Sequence, residues 1–203
     1  MIHSGYRPVT IPWFSLIPLD FAFWKSNTGT DIIHGDIKPQ NVLIFKDATN
    51  NTTVKVADFG YSTLAASETG KVCLPKSRPW NAPEHHFGEF IAYDAKQTDV
   101  YSFGLLCLWI VSGGIPILLN NTEYTFDAPT GPGGGAYTAL EELKYNDKLK
   151  QVANQLIDFI PLAEVNAEHR KRLNEFFSLA ILLNPAKRTS NLRRLVGLLR
   201  REQ

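Results

Sequence analysis

The run His34-Gly35-Asp36-Ile37-Lys38-Pro39-Gln40-Asn41 holds an acid able to take a hydroxyl proton, an ammonium two positions on and an amide five positions on. A second acid follows in Asp58-Phe59-Gly60, and a further carboxylate in Ala82-Pro83-Glu84. Together these are the groups needed to move a phosphoryl from a nucleotide–metal complex to an alcohol, so the chemistry they suggest is phosphoryl transfer. Each has a duller reading when taken singly. Asn41 ends a turn, Lys38 is a solvated charge, and Asp58 before Phe59-Gly60 opens a turn. Order and spacing are what carry the chemistry.

Such groups need stiff elements to hold them. Val42 to Phe45 and Val54 to Ala57 are short β-prone runs around Lys46 to Thr53, which is rich in Asp, Asn and Thr, and they read as a hairpin. Asn41 precedes the first run and Asp58 follows the second, so the hairpin would hold both at one end. From Gly60 to Pro79 the composition turns small and polar without a period, as expected of an exposed, movable loop. Asp99 then opens a run through Trp109 that is apolar on nearly all sides, the pattern of a helix buried at the centre of an α-rich lobe. Ala136 to Ile160, Arg170 to Leu183 and Leu192 to Leu199 are read as helical. Residues 1 to 30 show no clear period, and Gly131 to Gly135 is read as a linker rather than a nucleotide loop.

Bulk composition excludes several classes. The chain has 203 residues, 44% hydrophobic and 20% charged, which suits one domain with one substantial core. Its 21 Lys and Arg against 20 Asp and Glu leave a net charge of +1, too little for a field that gathers nucleic acid or acidic lipid. No nucleic-acid readout is expected. Phe103 to Leu119 is the one long apolar run, but Ser112-Gly113-Gly114 and Pro116 interrupt it, so no membrane span is expected. The two cysteines, Cys73 and Cys107, fit no zinc spacing and suit a reducing compartment, cytoplasmic or nuclear.

On these residues, positions 31 to 199 resemble the C-terminal lobe of the eukaryotic-type protein kinase family, of the serine/threonine kind. Asp99-Val100-Tyr101-Ser102-Phe103-Gly104 adds to the likeness, all in the family's order. The resemblance implies an α+β fold: a mainly helical lobe, a small hairpin carrying the catalytic loop 34–41 and the metal-binding loop 58–60, and an activation segment over 58–84. It implies ATP and Mg2+ as cofactors and a protein substrate. Asp36 matches the catalytic base and Lys38 the cation that neutralises charge on the transferred group. Asn41 and Asp58 match the magnesium ligands, and Leu43 the residue under adenine, although a strand leucine is equally a core residue. Ser77 matches a hydroxyl that touches the base and the lysine. Glu84 and Arg188 match a structural ion pair. Asp99 matches an acceptor for catalytic-loop backbone N–H groups, with an ordinary helix N-cap as the competing account.

Two departures stand out. Trp80 replaces a usual tyrosine, which changes the shape expected of the peptide-docking floor. No glycine-rich loop or strand lysine is recognised upstream of His34, so the N-terminal β-lobe is expected to be lacking, with 1–30 an irregular segment in its place. A chain so truncated is expected to bind ATP weakly or not at all, and to expose an apolar cleft covered by residues 13 to 24 or by a partner chain. Alternatives are a catalytically silent kinase-like scaffold and, further off, a small-molecule phosphotransferase whose loop also carries His-Gly-Asp.

Gly35 stands where the family usually has the arginine that grips a phosphorylated activation segment. Phosphorylation of Ser62, Thr63, Ser67 or Thr69 is therefore not expected to be the main on-switch. Acidic substitutions at these positions should leave phosphoryl transfer nearly unchanged in a radiolabel assay, and a large gain would count against this reading.

Overall fold

A computed structural model describes residues 32–49, 52–64, 71–87, 89–113, 117–119, 122–124, 126, 139–161 and 165–199. The irregular segment 1–30, the glycine run 131–135 and the hydroxyls of Ser67 and Thr69 lie outside the described residues.

The centre is α1, Ala92–Val111, buried along most of its length from Ala95 to Leu108. A helix apolar on all sides has no solvent face, so other elements must surround it. Three of them are α3 (Leu149–Phe159), α4 (Ala167–Ala180) and α5 (Leu192–Leu199), packed in sequence with α4 and α3 also against α1. The short α2, Ala139–Tyr145, precedes them. Phe103 meets Phe176 edge-on at 5.6 Å, and Phe176 meets Phe177 edge-on at 5.0 Å, an arrangement that aligns ring edges with ring faces. Gly104 permits the close approach: a Cβ there would sit 2.5 Å from Ile181 Cγ2 and 3.0 Å from Ala180 Cβ. Polar side chains start the later helices, with Asn166 Oδ1 accepting from His169 N at 2.8 Å and Asn191 Oδ1 from Arg194 N at 3.0 Å.

The β structure is more than the single hairpin expected from sequence. Among the described residues there are four separate antiparallel pairs. The expected one joins β2 (Val42–Lys46) to β3 (Thr52–Val56) in the register Val42↔Val56. The others join β1 (Ile32–Ile33) to β4 (Thr63–Leu64), β5 (Lys71–Cys73) to β6 (Glu89–Ile91), and β7 (Ile117–Leu119) to β8 (Thr122–Tyr124). The segment Gly60 to Pro79, expected to be irregular, thus contributes two strands. Ladders of two or three residues are too short to carry an alternating pattern.

The helical runs end or break where the backbone turns left-handed. The Phe103 to Leu119 run leaves the helix after Val111, where Ser112 N bonds back to Leu108 O at 2.9 Å and Gly113 takes a left-handed φ of 71°. Within the stretch to Ile160 read as helical, the described residues from Ala139 on form two helices, broken where Asp147 adopts a φ of 53°. Aspartate tolerates that conformation better than most residues.

Arg188 fastens the C-terminal end of the lobe to the loop before β6. Its guanidinium forms a bidentate pair with Glu84, Nη1 to Oε1 at 2.5 Å and Nη2 to Oε2 at 2.8 Å. It also donates to Gln97 O at 2.9 Å, Leu182 O at 2.7 Å and Leu183 O at 3.2 Å, and lies 4.5 Å over the Tyr101 ring. Every N–H of the guanidinium is therefore used. Removing the cation strands Glu84, so Arg188→Ala should cost about 3–5 kcal/mol, read as a lowered midpoint in chemical denaturation.

Candidate functional site

The loop from His34 to Asn41 is held from behind by one carboxylate. Asp99 Oδ2 accepts from His34 N at 2.7 Å and its Oδ1 from Gly35 N at 2.9 Å. Asp99 lies well inside α1, which starts at Ala92, so the N-cap account is overturned. Gly35 has a left-handed φ of 81°, which turns the chain so that consecutive N–H groups reach one side chain. His34 then anchors the loop to the hairpin. Its Nδ1 accepts from Asp36 N at 3.2 Å, so its Nε2 carries the proton and donates to Ala57 O at 3.0 Å. Burial lowers the imidazole pKa and favours this neutral form. The ring lies 5.0 Å from that of Phe59.

Asp36 is buried and crowded by donors. Its Oδ2 accepts from Lys38 Nζ at 2.7 Å and Asn41 Nδ2 at 3.1 Å, and Asn41 Nδ2 also donates to the Asp36 carbonyl at 2.8 Å. Lys38 Nζ reaches Ser77 Oγ at 3.2 Å. Burial works to raise the Asp36 carboxyl, but Lys38, with Ser77 and Asn41 beside it, outweighs this and holds the group below the usual carboxylate value. Asp36 Oδ1 is enclosed and has no hydrogen-bond partner among the described residues.

Asn41 ends a 3-10 turn, Pro39–Asn41, and leads into β2. Its carbonyl accepts from Ala57 N at 2.8 Å, extending the β2–β3 ladder by one pair and placing Asp58 next to it at the same end. Asp58 is exposed, in the left-handed region with φ 64°, and accepts from Gly60 N at 3.3 Å. Asn41 bonds through its side chain to Asp36 at 3.1 Å and through its carbonyl to the N–H of Ala57, the residue before Asp58, at 2.8 Å, which brings the two acids to the same end of the hairpin. Leu43 is 45% exposed on the hairpin, beside exposed Ile44 and Phe45, and so is not a core leucine. Glu84 and Arg188 stand apart, fixing the loop 77–84 from below. Among the described residues no cluster of three or more His, Cys, Asp or Glu side chains exists. A magnesium ion bound by one acid, one amide, phosphates and water requires none.

One neighbour of the site escaped the sequence reading. Lys144 on α2 is buried, donates to Glu141 Oε1 at 2.6 Å and Asn81 O at 3.0 Å, and also reaches Pro79 O. The available signal was Leu140, Glu141, Leu143 and Lys144 on one side of a short helix, which reads as an ordinary amphipathic turn.

Comparison with known proteins settles the family. The family model "protein kinase domain" matches residues 25–191. The chain belongs to the protein kinase family. It is 31% identical over 166 residues to a probable leucine-rich repeat receptor-like protein kinase of Arabidopsis thaliana, covering 73% of this chain and 22% of that protein. It is 30% identical over 150 residues to serine/threonine-protein kinase A of Synechocystis, covering 68% and 26%. Serine/threonine-protein kinase kin-29 of Caenorhabditis elegans matches over 104 residues at 33%, covering 51% and 12%. The chain thus spans about a quarter or less of the length of these kinase relatives.

The two acids give opposite pH signatures. Burial pushes the Asp99 carboxyl up to about 7 from its ordinary 3.8, against the pull of its two backbone donors. The folded chain then binds that proton more tightly than the unfolded one. The contribution of Asp99 is full below about pH 4 and is lost as pH rises through 7. Asp36, lowered, contributes above its ordinary 3.8 and loses that contribution as acid protonates it. In urea denaturation across a pH series, the stability advantage of wild type over Asp99→Asn should shrink between about pH 4 and 7. An advantage independent of pH would remove Asp99 from this role.

Proposed function

We propose that this chain transfers the γ-phosphoryl of Mg-ATP to serine and threonine hydroxyls of a protein substrate. The observation that carries the reading is the Asp36 carboxylate: one oxygen is fixed by Lys38 and Asn41, and the other is left without a partner among the described residues. A buried acceptor without a donor is costly. Once the groups around it shift to admit substrate, that oxygen would accept a hydroxyl's hydrogen bond and take its proton, on an acid that stays ionised at neutral pH. Lys38, bonded to both Asp36 and Ser77, stands ready to neutralise charge on the group in transit.

The residues suit magnesium and a nucleotide. Asn41 uses its NH2 on Asp36, so the amide oxygen is what remains for a hard cation, and Asp58 offers an exposed carboxylate at the adjoining chain end. Bound magnesium would neutralise the phosphates and hold them for in-line attack. Exposed Leu43 supplies an apolar surface of the kind adenine rests on, and exposed Phe45, two residues on along the same side of the strand, extends it for a covering lobe or partner.

Serine/threonine specificity is supported by Lys38-Pro39, by the Ser77–Lys38 contact, and by the names of the relatives. An intact donor set around Asp36 argues against a silent remnant, and the Ala82-Pro83-Glu84 ledge against a small-molecule kinase. Among the described residues no helix is long and apolar enough to cross a membrane. Cys73 and Cys107 are free thiols, compatible with residence in cytoplasm or nucleus.

In a radiolabelled ATP assay on serine- and threonine-containing peptides, Asp36→Asn should lower kcat by about 100- to 10,000-fold. Its melting temperature should stay close to wild type. Equal rates in the two proteins would end the proposal.

A further inference from the structure

Lys144 is the cation at this site that the catalytic reading does not use. It projects from α2, 1% exposed, and is charge-paired with buried Glu141. It does not end on the carboxylate. The same ammonium also donates to Pro79 O and, at 3.0 Å, to Asn81 O, the carbonyls on either side of Trp80. A desolvated cation is stable only where acceptors surround it, and here two acceptors belong to a loop more than sixty residues away.

That loop is tied to the chemistry. Trp80 N and Asn81 N both donate to Ser77 O, at 2.8 and 3.2 Å, closing a turn whose first residue is Ser77. Ser77 Oγ meets Lys38 Nζ at 3.2 Å, and Lys38 meets Asp36 at 2.7 Å. Inside the turn, the Trp80 ring stacks on Phe126 at 5.2 Å and 17°, and stands edge-on to Trp109 at 6.2 Å. The turn is thus gripped by an aromatic stack through its side chain and by an ammonium through its backbone.

We infer that Lys144, with Glu141 as its counter-ion, is a positioning residue for protein substrate: it fixes the turn 77–81 so that the acceptor hydroxyl is presented to Asp36. The inference rests on the reading of that turn as the peptide ledge of a serine/threonine kinase. It assigns to α2 a part in substrate affinity and none in nucleotide binding. Burial lowers the Lys144 pKa to about 8 while Glu141 works to raise it, which shows how much the ammonium depends on the acceptors around it.

The test uses the full chain and the double variant Lys144→Met, Glu141→Leu. Replacing both members of a buried pair by apolar groups of similar size commonly leaves a fold intact, whereas removing one does not. Backbone amide exchange, followed by mass spectrometry, should speed up about tenfold or more at Trp80 and Asn81 and stay unchanged in α4. The KM for a peptide substrate should rise about tenfold or more, with the KM for ATP within about twofold of wild type. Unchanged exchange at Trp80 and Asn81 would overturn the inference, and so would exchange raised equally in α1 and α4. If the wild-type chain transfers no phosphoryl to any peptide, the kinase reading falls, while the exchange result still decides whether Lys144 holds the turn.

Discussion

The loop from His34 to Asn41 exists in its observed shape because a carboxylate that belongs to the hydrophobic centre reaches out to it. Asp99 sits in α1 among fully buried residues and accepts the N–H groups of His34 and Gly35. The loop is hung from a helix buried along most of its length, so Asp36 is held in register with the core. His34 carries the same hold onward to Ala57, next to Asp58. One acid in the core therefore sets the frame for two others, buried Asp36 and exposed Asp58.

The loop from 77 to 84 follows the same economy of means. Glu84 is clamped by Arg188, and the carbonyls of Pro79 and Asn81 face Lys144, so the loop rests on two buried cations, one from α2 and one from the segment between α4 and α5. Such contacts add little net stability compared with apolar packing. What they add is definition. Apolar side chains tolerate small slips, while a planar guanidinium with every N–H engaged tolerates almost none.

Much of this was readable before folding was considered. A pattern of fixed residue types at fixed spacing is visible without a fold, so Asp36, Lys38, Asn41 and Asp58 announce themselves, and the hairpin between Asn41 and Asp58 follows from two β-prone runs around a polar turn. The helices α4 and α5 were legible from apolar spacing. The strands β1, β4, β5 and β6 were not, because two- and three-residue ladders depend on partners brought from elsewhere. The break at Asp147 was hidden by helix-favouring neighbours, although Asn146-Asp147 held a usable hint. Lys144 was invisible for a deeper reason. Nothing local distinguishes a lysine in water from one whose acceptors arrive from residues 79 and 81.

Gly35 carries a historical consequence. Its backbone has a φ of 81°, and a Cβ there would lie 2.9 Å from Leu74 Cδ2, in a small cluster with Ile33, Phe90 and Ala95. In a descendant of this chain, an arginine at position 35 would have to push the end of Leu74 aside and bear the strain of the left-handed turn. A phosphate grip at this place therefore asks for changes at two positions rather than one.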